Sequence, residues 1–211
     1  MRKIVKSQEP QEWTQYRRTP DASFKSIPEL VASLYREQGY ICAYCMRRLP
    51  CKDPLSTENH RIEHIQSQTN YPDRKLDYSN LVACCPGNIS GDTQYHCDKL
   101  KGDKDLSFTP FDDNFIETLS YSSKDGRIKS SILQYDSEIN DVLNLNQVLL
   151  KKNRYATWKG VMNILNKKGW KIAQLSRFLK EWDDKDIDGR YKEYCGIVVY
   201  FLIRKLKQSS K

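Results

Sequence analysis

Three short runs, HRIEHIQS at 60–67, NLVACC at 80–85 and HCDKLKGD at 96–103, decide how this chain is read. They hold all 3 histidines of the 211 residues, and with CAYC at 42–45 and Cys51 just ahead of them they gather six of the 7 cysteines. Imidazole, thiolate and carboxylate are the side chains that bind transition metals and move protons near neutral pH. The flanking sequence is almost devoid of the first two. A metal-dependent site is therefore expected between residues 40 and 110.

Working outward, residues 50–105 are punctuated by Pro, Gly, Asn and Asp without a long helical period, which predicts short strands and loops. Upstream, Ser26 and Pro28 suit a helix start, Leu30 and Leu34 give an apolar face, and Gly39 suits the left-handed residue that ends it. Downstream, the segments 115–121 and 128–133 flank a Lys124-Asp125-Gly126 turn and predict a hairpin. From Leu143 onward the period becomes helical: Leu145, Leu149, Trp158, Val161 and Leu165, then Leu175, Phe178, Leu179 and Trp182, then a third helix over 191–207. The expected class is α+β. Its segments are a helical lead (1–39), a site-bearing core (40–110), a hairpin or linker (111–142) and a helical partner-binding region (143–211).

Charge is uneven along the chain. The net total is +8, but residues 1–52 carry +5, residues 53–150 carry −7 and residues 151–211 carry +10. A basic flank on each side of an acidic centre suits an anionic polymer gripped outside and worked on inside, although Lys-rich helices are also ordinary solvated surface. The start, MRKIVKSQEP, has no apolar signal core, and the longest apolar run, 197–203, is far below the roughly 18 residues of a membrane span. A cytoplasmic protein with reduced thiols and no membrane association is expected.

CAYC can fill two corners of a tetrahedral zinc site, and the other two must come from Cys84, Cys85 and Cys97. The favoured set is Cys42, Cys45, Cys85 and Cys97, with PGNISGDTQYH as a loop inserted into an opened second knuckle and Cys51 and Cys84 as buried spares. Unligated reduced cysteines are the plain alternative.

In order, Glu63-His64, Asn80 and Cys97-Asp98-x-x-Lys101-Gly102, framed by these cysteines, resemble an HNH endonuclease. With Tyr40-Ile-Cys-Ala-Tyr-Cys45 and the later Leu143-Asn-Leu-Asn, the chain is similar over most of its length to HNH nucleases of the PtuB type from Septu and retron anti-phage systems. The resemblance implies a zinc-braced ββα-metal core. It further implies hydrolysis of phosphodiesters with Mg²⁺ or Mn²⁺, an ABC-type ATPase partner, PtuA, and in some systems a retron reverse transcriptase with its RNA–DNA hybrid.

On that resemblance His64 is the general base, Glu63 and Asp98 are the ligands of the catalytic ion, and Asn80 fixes the loop carrying His64. Lys99 and Lys101 contact phosphate, and His60 is a substrate contact or a structural residue and not the base. The family more often has Asp where Glu63 stands, and His96 is an alternative ligand to Asp98. If β-structure is regular, Glu63 and His64 face opposite sides, so convergence requires a strand end or bulge. DNA is the favoured substrate, with RNA such as a tRNA as an alternative. A non-catalytic zinc module that binds nucleic acid or a partner is the rival from another class. The apolar periodicity of 143–211 points to docking on the ATPase ahead of a nucleic-acid grip.

Overall fold

Pro28 presets φ for a first helical turn, and the apolar residues Leu30, Val31, Leu34 and Tyr35 recur on one face. In the computed structural model, which describes residues 1–50, 60–88 and 94–209, a short α1 (Gln11–Arg17) comes first, and these apolar residues then form α2 (Pro28–Gln38) with that face buried. Ser26 is not its cap; Ile27 holds that position without a side-chain bond. Gly39 ends the helix at φ 58°, and its carbonyl accepts the Tyr191 N–H at 3.0 Å. A Cβ at Gly39 would lie 2.3 Å from Tyr191 Cδ2. Gly39→Ala therefore combines left-handed strain with a clash, and we expect it to cost about 2 kcal/mol or more. An unchanged midpoint in denaturant titration would refute this.

The centre of the chain is short strands, as the punctuation of 50–105 predicts. β1 (Arg61–His64) pairs antiparallel with β2 (Leu81–Cys84), with Arg61 opposite Cys84 and His64 opposite Leu81. The ladder is regular over all four pairs. The four-residue helix α3 (Asp98–Lys101) follows.

The second hairpin is shorter than expected. Asp112 accepts the Asn114 N–H and starts a helix, α4 (Asp113–Glu117), so Phe115 stacks on Phe108 at 3.8 Å instead of entering a strand. The strands are β3 (Leu119–Tyr121) and β4 (Ile128–Ser130), and the chain leaves the sheet at once into α5 (Leu133–Ser137).

Three helices complete the protein: α6 (Val148–Lys168), α7 (Ile172–Asp183) and α8 (Cys195–Ser209). The last begins at Cys195, not at 191. Tyr191 and Tyr194 lie ahead of it as clamps, Tyr191 on Gly39 and Tyr194 through its N–H to the Met46 carbonyl at 3.1 Å. Of the predicted stripe, Leu145, Trp158, Val161, Leu165, Leu175 and Phe178 are buried and Leu149, Leu179 and Trp182 are half-buried; with Leu150, Ile197, Val198 and Leu202 the buried ones join one cluster that includes Trp13, Leu34, Tyr44 and Leu81. The helical half is thus part of the same core as the site-bearing centre, and most of its apolar stripe packs within the chain, while Val148, Ile164 and Ile172 are exposed. Among the described residues no helix is long and apolar enough to cross a membrane.

A four-cysteine centre beside a buried carboxylate pair

CAYC forms a tight knuckle. The Cys42 N–H donates to Arg47 O at 2.8 Å and the Met46 N–H to Cys42 O at 3.0 Å, with Met46 left-handed at φ 63°. Both thiols turn inward. The second pair arrives from two separated points: Cys85 follows β2 directly, and Cys97 sits at the mouth of α3 in a strained φ of 56°. The ends of the loop between them are pinned together, because the His96 N–H donates to Gly87 O at 2.8 Å. Gly87, at φ 75°, has no room for a side chain, since a Cβ would lie 2.4 Å from that of Lys99.

The Sγ atoms of Cys42, Cys45, Cys85 and Cys97 all lie within 4.8 Å of one another, with Cys42 to Cys97 at 3.9 Å and Cys45 to Cys85 at 3.6 Å. A tetrahedral zinc with Zn–S of about 2.3 Å has sulfur–sulfur edges of about 3.8 Å. The donor set and its dimensions fit zinc. This is also, among the described residues, the one group of three or more His, Cys, Asp or Glu side chains close enough to hold an ion. Burial opposes ionisation of Cys42, yet hydrogen bonds from Cys45, Cys84, Cys85 and Cys97 hold it well below the usual thiol range. Six cysteines, these four with Cys84 and Cys195, are free and buried. Cys51 lies outside the described residues.

Beside the thiols, Glu63 is buried on β1. Its carboxylate accepts from the Tyr44 hydroxyl at 3.0 Å and pairs with Lys101 Nζ at 2.9 Å. Burial first, and then hydrogen bonding and charge repulsion from Asp98, push its carboxyl well above the usual range, while Lys101 pulls the other way. Asp98, the first residue of α3, is paired with Arg61. Two carboxylates thus meet in a buried spot, flanked by two cations. Arg61 was visible in principle, since residues 61 and 63 share one face of a strand. Tyr44 carried no such signal beyond its place inside CAYC.

His64 ends β1 and leaves it on the opposite side from Glu63, as the regular ladder requires. No bulge brings the two together; Asp98 and Lys101 each act electrostatically on both. The His64 ring packs edge-on against Phe24 at 4.4 Å, and its Nε2 lies 2.9 Å from Lys75 O. A carbonyl can only accept, so Nε2 carries the proton and the neutral ring presents Nδ1 as a bare lone pair. Burial lowers its pKa, which keeps it neutral at pH 7, against the opposing effects of the Lys75 bond and Asp98.

Asn80 staples the loop that follows His64. Its Oδ1 accepts the Gln66 N–H at 2.9 Å, and its Nδ2 donates to Gln66 O at 2.9 Å and Arg74 O at 3.2 Å. Asn80→Ala should cost roughly 1–3 kcal/mol, because buried backbone groups lose their partners. A thermal midpoint identical to that of the parent protein would show that the staple carries nothing.

Of the other residues singled out, His60 is buried with its ring edge-on to Tyr35 at 5.4 Å. Lys99 is exposed, 4.1 Å above the Tyr95 ring. Lys101, expected as a phosphate contact, is 1% exposed and is the ion partner of Glu63. His96 lies on the thiol side, with Nδ1 3.2 Å from Cys97 Sγ and 3.9 Å from Cys85 Sγ. No protein-family model and no curated protein matches this sequence.

Proposed function

We propose that this chain is a metal-dependent HNH-type endonuclease of the PtuB kind, acting in the cytoplasm as the nuclease of an anti-phage complex with an ABC-type ATPase, PtuA. The observation that carries this is the buried meeting of Asp98, at the start of α3, with Glu63 on β1, the strand that ends at His64. Phosphodiester hydrolysis needs an activated water, charge neutralisation at phosphate and help for the leaving oxygen. Two adjacent carboxylates are the donor set of a hard divalent cation. A Mg²⁺ or Mn²⁺ ion held by Glu63 and Asp98 would neutralise charge on the scissile phosphate and on the departing 3′ oxygen.

The chain's own residues supply the rest. His64 Nδ1 takes the proton of the attacking water, and the Nε2–H bond to Lys75 O fixes the tautomer. Asn80 keeps the 65–80 loop, and with it the ring, in place. The four-cysteine centre sets the start of α3, since Cys97 directly precedes Asp98. The basic flanks attract the nucleic-acid backbone.

A second reading, a zinc-braced module that binds without cutting, draws on two specific observations: both carboxylates are already neutralised, Glu63 by Lys101 and Asp98 by Arg61, and His64 leaves β1 on the face opposite Glu63. One experiment separates the two. Purified protein, alone and with the ATPase, is incubated with DNA and with RNA in Mg²⁺ or Mn²⁺, and the product ends are sequenced. Metal-dependent breaks support the nuclease and identify DNA, which we favour, or an RNA such as tRNA. Intact nucleic acid in every combination, including extracts of the native complex with any reverse transcriptase and its RNA–DNA hybrid, would favour the binding module.

A further inference from the structure

A cavity of about 540 Å³ opens between α6, α8 and the turn of the β3–β4 hairpin, well within the size of small-ligand sites. Its walls are aromatic. Trp158 and Phe201 stack at 4.7 Å and 25°, and Trp170 meets Trp158 edge-on at 6.4 Å. The Trp170 ring is fixed by its own N–H, which donates to Asn166 Oδ1 at 2.8 Å. Lys124, Arg204 and Lys205 also line the cavity, and no carboxylate does among the described residues. Lys205 Nζ lies 5.7 Å from the centroid of Trp170.

Trp158 is 2% exposed and forms the back of the wall, so the accessible aromatic surface belongs to Trp170 and Phe201, which it holds in place. A hydrocarbon ligand would use the rings and leave the three cations unmatched. A bare anion would use the cations and ignore the rings. A nucleotide uses both: a flat base for the aromatic faces and phosphate for the cations.

We propose that this cleft is a nucleotide-binding site, with the base against Trp170 and Phe201 and its phosphate on Lys124, Arg204 and Lys205. None of these residues belongs to the Glu63–His64–Asp98 cluster, so the site stands whether or not the chain cuts nucleic acid. The ligand is either a free nucleotide or an unpaired nucleotide within a strand, which share this chemistry.

The test uses the full chain without added Mg²⁺ or Mn²⁺, so that binding is read apart from cleavage. Tryptophan fluorescence is titrated with AMP, dAMP, inorganic phosphate and eight-nucleotide oligo-rA and oligo-dA. Saturable quenching is expected, weakened about tenfold or more both in Arg204→Glu/Lys205→Glu and in Trp170→Leu. The charge reversal touches only exposed side chains, so it remains informative if the aromatic variant folds poorly. Saturation by mononucleotides identifies a free-nucleotide site. Saturation by oligomers alone, with affinity falling as salt rises, identifies a strand. No saturable response to any base-containing probe up to millimolar concentration, equal affinity in the charge-reversed protein, or equal competition by inorganic phosphate would overturn the proposal.

Discussion

Cys42→Ser and Cys97→Ser are each expected to yield insoluble or unfolded protein, and the parent protein is expected to carry about one tightly held zinc per chain. Four buried thiols with edges of 3.6 and 3.9 Å between the pairs measured have no comfortable protonation state of their own. Against the effect of burial, Cys42 is held low by its neighbours' hydrogen bonds, burial pushes Cys45 and Cys97 well above the usual thiol range, and Cys85 is lowered to about 7. A dication resolves this by accepting all four as thiolates.

The resulting site would carry a net charge of −2, and a counter-charge is already built in. Arg154 is 1% exposed, and its hydrogen bonds go to neutral oxygens: Gly126 O, Leu145 O and Asn146 Oδ1. Cys45 and Cys97 are among the groups whose charge acts on it. A buried guanidinium without a carboxylate of its own is costly unless an anion lies near. Structural zinc contributes about 10–16 kcal/mol in small zinc domains, comparable to or above the roughly 5–15 kcal/mol total stability of a typical domain. Losing one corner should therefore unfold the chain. Cys195→Ser, at the start of α8 and outside the cluster, should leave soluble, zinc-loaded protein. Elemental analysis that finds folded protein without zinc would rule this out.

The cysteine set was legible because metal geometry leaves few choices: a two-residue-spaced pair needs two more sulfurs, and Cys85 and Cys97 bracket a loop that can close on itself. The alternation rule was equally informative. It placed Glu63 and His64 on opposite faces, and the regular β1–β2 ladder keeps them there. The same rule, applied to residue 61, would have revealed Arg61 as a neighbour of the carboxylates. Less was legible wherever a local signal depends on what lies across the fold. Phe115 has a strand-like neighbourhood, but Asp112 caps a helix there and Phe108 offers a stacking partner. Helical stripes over 148–202 announce buried faces without saying against what. They pack on the chain's own core, so a truncation near Leu143 would remove Ile197, Val198 and Leu202 from that core and unfold the protein instead of testing a docking surface. Lys101 differs from its expected role for a related reason: a phosphate contact must be exposed, and only the tertiary fold turns this side chain inward to Glu63.

His64→Ala is expected to abolish cleavage while the chain stays folded and zinc-loaded. The loss of a general base costs about 10² to 10⁴ in rate, or roughly 3–5 kcal/mol of barrier. The cost to stability is smaller. The ring gives up one edge contact with Phe24 and one hydrogen bond to Lys75 O, together about 1–2 kcal/mol, and it sits at the end of a strand outside the thiol centre. His64→Gln distinguishes proton transfer from mere positioning. Its amide can donate to the Lys75 carbonyl as Nε2 does, yet it offers no lone pair that titrates near neutral pH. If His64 is the base, both variants are equally inactive, each still folds cooperatively with a melting point lowered by no more than about 2–8 °C, and nucleic-acid binding is unchanged. Restored cleavage in His64→Gln would make the ring a positioning element. Parent-level rates in folded His64→Ala would remove it from the chemistry, and the Glu63–Asp98 pair would then need another base or the non-catalytic reading.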